Sequence, residues 1–212
     1  TKKRKTFEGN KMSSCKRTTS PKERTKLKIA IFPTEKNYDI IYADPPWEYP
    51  LSGGIKNSRG MAKQHYTTMS IDEVGELPIK RLCTPTAICF LWATFPNIEN
   101  AIHTISEWGF SYKTAAFVWI KKNKCGSNFW GMGQYTRANA EVCLLGVSKK
   151  TKASEQVKSH KIHQIVESVV GRHSEKPNEV RERIVQLLGD IPRIELFARE
   201  QTDGWDCWGN EV

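Results

Sequence analysis

The sequence lacks the features that mark membrane-spanning, secreted and zinc-binding proteins. No stretch approaches the roughly 18 consecutive apolar residues of a transmembrane helix, and no charged segment followed by an apolar one opens the chain. The six cysteines lie far apart and form no Cys-x-x-Cys pair, which disfavours a structural zinc site or a dense disulfide framework. We therefore expect no membrane association, no metal and a reducing intracellular setting, with Cys89 and Cys143 as buried core thiols.

Positive charge is abundant but concentrated at one end of the chain. The 33 Lys and Arg exceed the 23 Asp and Glu by ten, yet residues 1–36 carry a net charge of +9 and residues 37–212 only +1. Residues 1–26 hold almost no large apolar side chains, so we expect a disordered basic leader followed by a globular domain over residues 27–212. The run Lys2–Lys5 is typical of a nuclear localisation signal or a phosphate-binding patch, and equally of a solvated tail.

Apolar runs of strand length alternate with helical patterns in the rest of the chain. The runs are nearly continuous, which is typical of a parallel sheet covered on both faces. A capping-box pattern starts one helix at Ser70, and apolar faces predict two more over Pro96–Trp108 and Pro177–Leu188. This alternation predicts an α/β fold with two long polar loops, at Ser52–Gln64 and Lys121–Thr136. The five expected strands are Asp39–Ala43, Ala87–Trp92, Ala115–Ile120, Val142–Val147 and Arg193–Ala198.

The tetrapeptide Asp44-Pro45-Pro46-Trp47 directly follows the first strand, at the edge of the sheet where α/β proteins bind ligands. Two prolines remove two backbone donors and stiffen the chain, and the residue before a proline is held in an extended conformation. The loop therefore presents a fixed carboxylate, an unpaired carbonyl and a large aromatic plane.

These groups suit an exocyclic aromatic amine such as N6 of adenine. Asp44 and the Pro45 carbonyl can accept its two hydrogens, which localises the nitrogen lone pair, and Trp47 can stack on the base. The nitrogen could then attack an electrophilic methyl group in line. The expected catalysis is by positioning and electrostatics, without a metal. No general base is required, because the methylated amine sheds its proton readily.

With these residues the chain resembles the amino-methyltransferases that use S-adenosylmethionine (SAM). More narrowly, it resembles the circularly permuted adenine-N6 methyltransferases that include the catalytic subunit of the eukaryotic mRNA writer, with bacterial, phage and ciliate relatives. The resemblance covers residues 38–212 and implies a seven-stranded Rossmann-like sheet with helices on both faces. It rests on ADPPW at 43–47, HYTTMS at 65–70, FLWAT at 90–94, FVWIKKN at 117–123, RANAEVCLLGV at 137–147, HSEKPNE at 173–179, ELFARE at 195–200 and GWDCWGNEV at 204–212.

The resemblance also implies roles for residues at both ends of the domain. Asp44 would lie near the methionine amino group of SAM, and Lys176 would pair with its carboxylate. Glu195 and Arg199 would frame the ribose, and Asn210 and Glu211 would lie near the adenosine. The residues implied for the substrate side are Tyr66, Trp92, Trp119, Arg137 and Asn139, with Glu141 in the same cleft-lining segment as the last two.

Most of these residues have a structural alternative. Lys176 could be a solvated residue before a helix, Glu195 and Arg199 could form a weak surface ion pair, and Asn210 could be a turn residue. Trp92 and Trp119 could fill the core, and Arg137 could cap a helix or brace a loop. One departure is that Leu27–Pro33 contains no Asp, although the mRNA writer has an acidic cofactor contact upstream of its DPPW strand.

The resemblance leaves three functions open. We expect adenine-N6 methylation of DNA, which in a duplex requires flipping the base out of the stack. The same chemistry on RNA is the first alternative, and a non-catalytic nucleic-acid-binding subunit is the second. The near-neutral domain predicts a heterodimer with a paralogous subunit, which could itself be inactive, and further DNA-binding subunits could join it. The expected location is the nucleus in a eukaryote and otherwise the cytoplasm.

Overall fold

The structure is a computed structural model that describes residues 36–48, 68–133, 135–171 and 175–212. The expected leader over residues 1–26, the segment Leu27–Pro33, the loop Ser52–Gln64 and Tyr66 lie outside the described residues. The boundary predicted at residue 27 therefore stays a prediction.

A single seven-stranded sheet forms the centre of the described part of the chain, in the order β5-β3-β4-β2-β1-β6-β7. All five apolar runs that predicted strands lie in it, and the sequence reading missed β5 and β7, which are short or amphipathic. The strands are β1 (Tyr38–Ala43), β2 (Cys83–Ala93), β3 (Ser111–Lys122), β4 (Ala140–Val147), β5 (Ile165–Val169), β6 (Arg193–Leu196) and β7 (Asp206–Trp208).

The sheet is mainly parallel, as predicted, but β4 is reversed. Strand β4 pairs antiparallel with both β2 and β3, whereas the pairs β1–β2, β1–β6, β3–β5 and β6–β7 are parallel. The reversal was not visible in the sequence, since a strand buried on both faces gives the same apolar run in either direction. As a result, the first residues of β4 lie beside the last residues of β2 and β3.

The predicted helices are present with small shifts at their ends. Helix α1 (Ile71–Gly75) begins with the expected capping box, in which the Ser70 hydroxyl accepts from the Glu73 amide and the Glu73 carboxylate accepts from the Ser70 amide. Helix α2 (Ile98–Glu107) follows a 3-10 turn, Phe95–Asn97. A short α3 (Ala153–Gln156) was not predicted, and α4 (Asn178–Leu188) begins after Pro177 and ends at Gly189, whose φ is 93°.

The two longer helices cover opposite faces of the sheet. Val180, Ile184 and Leu188 of α4 pack in a core with Tyr42 and Phe90 on one face. Helix α2 lies on the other face, so close that a Cβ on Gly146 would stand 2.8 Å from Ile105 Cγ2. Among the described helices, none is long and apolar enough to cross a membrane. Cys89 and Cys143 are fully buried free thiols, as expected, and burial raises the pKa of both.

Candidate active site

The sheet brings the motif-bearing segments to one edge. Asp44 follows β1, Trp92 lies at the end of β2, and Lys121 lies at the end of β3. Because β4 is reversed, Glu141 near its start joins them at this edge. Since β6 and β7 continue the parallel order beside β1, the segments after them arrive at the same place, which is the ligand-binding edge of α/β sheets.

The Asp44–Trp47 loop is held by hydrogen bonds at several points, in agreement with the rigidity expected of two prolines. The Trp47 amide donates to the Pro45 carbonyl at 2.8 Å, and the Met69 amide donates to the Pro46 carbonyl at 3.0 Å. The Trp47 indole N–H donates to the Trp92 carbonyl at 2.9 Å. The expectation of an unpaired Pro45 carbonyl is therefore wrong, but a carbonyl oxygen has two lone pairs and can still accept from a second donor.

Lys176 places its ammonium between two carboxylates. Its Nζ donates to Asp44 Oδ2 at 2.6 Å and lies 3.3 Å from Glu141 Oε2. The side chain of Lys176 is only 5% exposed and that of Asp44 22% exposed, so the alternative of a solvated lysine before a helix does not describe this residue. Two residues 132 positions apart therefore form one buried, charge-assisted contact at the site.

A second lysine extends this contact into a chain of alternating charges. Lys121 donates to the other oxygen of Glu141, and the two side chains are 16% and 7% exposed. Each ammonium also lies over an indole ring, Lys121 5.0 Å from the centre of Trp119 and Lys176 5.5 Å from that of Trp92. We call the four charged residues Lys121, Glu141, Lys176 and Asp44 the ion chain.

Burial and charge act against each other on the carboxylates of the ion chain. Burial raises the pKa of Asp44, while Lys176 and Arg199 oppose that rise and Glu141 adds to it. Burial also disfavours the charged form of Glu141, but Lys176 and Lys121 outweigh it and lower the pKa. Burial likewise opposes the charge on Lys176, yet its two carboxylate partners hold its pKa above the ordinary value. Lys176 is therefore a cation at neutral pH.

Glu195 forms a buried ion pair with a residue that the sequence reading did not select. Arg181 of α4 donates from Nε and Nη2 to the two Glu195 oxygens, both at 2.7 Å, and the two side chains are 11% and 8% exposed. Because the Glu195 side chain is buried and paired with Arg181, the alternative of a weak surface pair does not describe it. Arg199 is close enough to Asp44 to affect its pKa.

The tryptophans predicted at the substrate pocket are covered in this structure. Trp92 and Trp119 are 0% and 1% exposed, and Trp47 is 5% exposed. The Trp92 indole N–H donates to the Tyr42 hydroxyl at 2.7 Å, and that of Trp119 donates to the Ser168 carbonyl at 3.3 Å. The burial of Trp92 and Trp119 matches the core-packing alternative. Their rings pack directly against the two lysines of the ion chain. Base stacking by these rings stays a prediction.

The remaining predicted residues lie at the surface around this edge. Arg137 is exposed and stacks on Trp130, with its guanidinium carbon 5.2 Å from the ring centre. The Asn139 carbonyl accepts from the Lys121 amide at 2.8 Å. Asn210 and Glu211 are exposed beyond the end of β7.

Two members of the site, Lys121 and Arg181, were missed by the sequence reading, and Glu141 was placed in the cleft without a partner. The available signal was a charged residue at the end of an apolar run, as in FVWIK for Lys121 and AEVCLL for Glu141. Nothing in the spacing of Arg181 connects it with Glu195. Among the described residues, no group of three or more His, Cys, Asp or Glu is placed to hold a metal ion.

Comparison with known proteins is consistent with this geometry. The MT-A70 family profile matches residues 38–211. The chain is 33% identical over 200 residues to the type II methyltransferase M.MunI of Mycoplasma sp, covering 86% of this chain and 82% of that protein. It is 29% identical over 191 residues to the human N(6)-adenine-specific methyltransferase METTL4, covering 84% of this chain and 38% of that one. It is 26% identical over 193 residues to the N6-methyladenosine RNA methyltransferase MTA1 of Pyricularia oryzae, covering 87% and 50%.

Proposed function

The chain belongs to the MT-A70 family, and on this basis we propose that it transfers a methyl group from SAM to N6 of adenine in DNA. The observation that carries the proposal is the buried contact between Asp44 of the DPPW loop and Lys176, at the ligand-binding edge of the sheet. The Lys176 and Asp44 side chains of this ion pair are 5% and 22% exposed, and Asp44 lies on a loop stiffened by two prolines. Such a pair is typical of a preorganised site and not of a surface contact.

The side chains at this edge suit the groups of SAM. The methionyl part of SAM carries an ammonium and a carboxylate, and the ion chain offers a carboxylate at Asp44 and an ammonium at Lys176. Asn210 and Glu211 follow the strand beside β6 and offer polar atoms for a nucleoside. Glu195 is held by Arg181, so in this conformation it would brace the ribose side rather than contact a hydroxyl. When bound, SAM supplies the electrophilic methyl group.

In this proposal the DPPW loop activates the amine by holding it. The Asp44 carboxylate and the Pro45 carbonyl accept the two N6 hydrogens, which turns the nitrogen lone pair toward the methyl group. The Lys176 cation opposes the rise that burial causes in the pKa of Asp44 and, through its hydrogen bond, holds the carboxylate in place. After transfer the nitrogen is cationic and releases a proton to Asp44 or to water.

We favour DNA over RNA as the substrate. The chain matches the type II methyltransferase M.MunI over 82% of that protein's length. It matches the RNA methyltransferase MTA1 over only 50% of that protein's length. The residues around the amine cannot distinguish the two, because the target base is the same. RNA is recognised through the 2′-hydroxyl and strand shape, and competition between matched DNA and RNA oligonucleotides measures that preference directly.

The test of the proposed activity is transfer of a radiolabelled methyl group from SAM to DNA, with Asp44→Ala as the control. Wild type is expected to label adenine N6, and the variant to lose at least about a hundredfold in rate because the amine is no longer oriented. Equal labelling by both proteins contradicts the assigned role of Asp44. Calorimetric titration with SAM separates this from a non-catalytic subunit, for which no SAM uptake is expected.

We also propose that the chain works with a partner subunit, a paralogue that contributes to binding of the nucleic acid substrate. Three large side chains between β3 and β4 are strongly exposed, namely Trp130 (73%), Met132 (76%) and Tyr135 (98%). Exposed aromatic and Met side chains in one loop are typical of an interaction surface. Full activity of the purified chain alone at physiological salt would contradict the need for a partner.

A further inference from the structure

We infer that Glu141 and Lys121 are positioning residues for the proposed methyl transfer, which hold the Lys176 ammonium against Asp44 without touching substrate. This inference deepens the proposed function and rests on it. It concerns two residues on neighbouring strands whose charges the transfer chemistry itself does not use.

The register of the sheet places the two residues together. Trp119 of β3 is directly opposite Glu141 of β4, and Lys121 lies two residues further along the same face. The Lys121 amide donates to the Asn139 carbonyl at 2.8 Å, which fixes the end of β3 against the start of β4. Both side chains therefore leave a rigid sheet, whereas Lys176 and Asp44 come from loops.

The contacts show why Lys176 needs this support. Its Nζ lies 2.6 Å from Asp44 and 3.3 Å from Glu141, so Glu141 sets where the ammonium stands between the two carboxylates. Lys121 occupies the other Glu141 oxygen and limits how far Glu141 can draw Lys176 away from Asp44. The indole rings of Trp92 and Trp119 meet edge to face with centroids 6.5 Å apart and support both ammonium groups from below.

Fold stability alone does not account for these two charges. Lys121 and Glu141 are 16% and 7% exposed, so both lose most of their hydration. Buried ion pairs are often replaced by apolar residues with no loss of stability. Together the two are neutral, and Asp44 with Lys176 would stay balanced without them. Their place beside the reactive carboxylate therefore points to a role in setting its geometry.

The test compares single-turnover methyl transfer and SAM affinity in four variants: Glu141→Gln, Lys121→Met, the double variant and Lys121→Arg. Each of the first two is expected to lower the rate about tenfold with a smaller change in SAM affinity, because geometry rather than binding is impaired. The double variant is expected to fall about tenfold, not about a hundredfold, since the residues act as a unit. Lys121→Arg keeps the charge and is expected to retain most of the rate.

Glu167→Gln is the matched control, because Glu167 pairs with Lys122 one residue along β3 but is 58% exposed and lies outside the ion chain. A Glu141→Gln rate equal to that of this control would overturn the inference, as would additive effects in the double variant. If Glu141→Gln does not fold, the inference is tested with the double variant and Lys121→Arg, since both leave the buried charges balanced. A rate equal to wild type in the double variant, or a loss of about tenfold in Lys121→Arg, would then overturn it. A wild type that neither binds SAM nor transfers methyl, alone or with added cellular extract, refutes the proposed function itself. An active wild type with unaffected variants refutes only this inference.

Discussion

Arg181 and Glu195 illustrate how much a single buried charge depends on its partner. The Glu195 side chain is 8% exposed and accepts two hydrogen bonds from one guanidinium, which also lies over the Tyr42 ring at 5.7 Å. A carboxylate in this position has given up much of its hydration, and the planar guanidinium replaces it with two parallel bonds. Removing one partner therefore costs more than the pair contributes as a whole.

Arg181→Met is expected to lower the free energy of unfolding by about 3–5 kcal/mol, because it leaves the Glu195 charge buried and unpaired. Urea denaturation at neutral pH measures the change. Lys152→Met is the control, since Lys152 and Glu155 form a pair that is 71% and 59% exposed. That substitution is expected to cost less than about 1 kcal/mol. Similar destabilisation in the two variants would show that Glu195 does not depend on Arg181.

At the scale of elements, the directions of β4 and α4 decide which residues meet. If β4 ran parallel to its neighbours, Glu141 would lie at the opposite edge from Asp44. Helix α4 buries Val180, Ile184 and Leu188 against the sheet, and its first turn carries Arg181 toward Glu195. Since Lys176 closely precedes this helix, the packing of α4 also sets the place of the lysine.

Ile184→Ala is expected to destabilise the fold by about 2–5 kcal/mol, because Ile184 is 0% exposed in the centre of the α4 face and the truncation leaves a cavity. Denaturant unfolding followed by circular dichroism measures the change. Glu182→Ala, at an exposed position of the same helix, is the control and is expected to stay within about 0.5 kcal/mol of wild type. Destabilisation below about 1 kcal/mol at Ile184 would argue against α4 as the cover of this face.

At the scale of the whole molecule, charge and chemistry are separated along the chain. Residues 1–36 carry a net charge of +9, while residues 37–212, which contain the candidate site, have a net charge of only +1. Contacts between cations and phosphates release counterions, so they weaken steeply with salt. We therefore expect residues 1–36 to contribute non-specific attraction to nucleic acid, while the candidate site acts on the base.

Deletion of residues 1–26 is expected to weaken DNA binding and to make its salt dependence shallower. For each phosphate contact that the deletion removes, the slope of log K against log salt is expected to change by about 0.9. Fluorescence anisotropy with one labelled duplex at several salt concentrations measures both effects. SAM affinity is expected to stay the same and serves as the control for folding. An unchanged slope would place the phosphate contacts elsewhere, for example on the five lysines of residues 149–163.

By itself the sequence determined the α/β class, five strands, the capping box at Ser70, the two longer helices and the chemical character of the DPPW loop. Apolar periodicity, capping residues and proline geometry are local properties, so they can be read without knowing the neighbours. Only the tertiary structure decided that β4 is reversed, that Lys176 pairs with both Asp44 and Glu141, and that Arg181 holds Glu195. An ion pair between residues 132 positions apart depends on strand order and direction, and no local pattern encodes either.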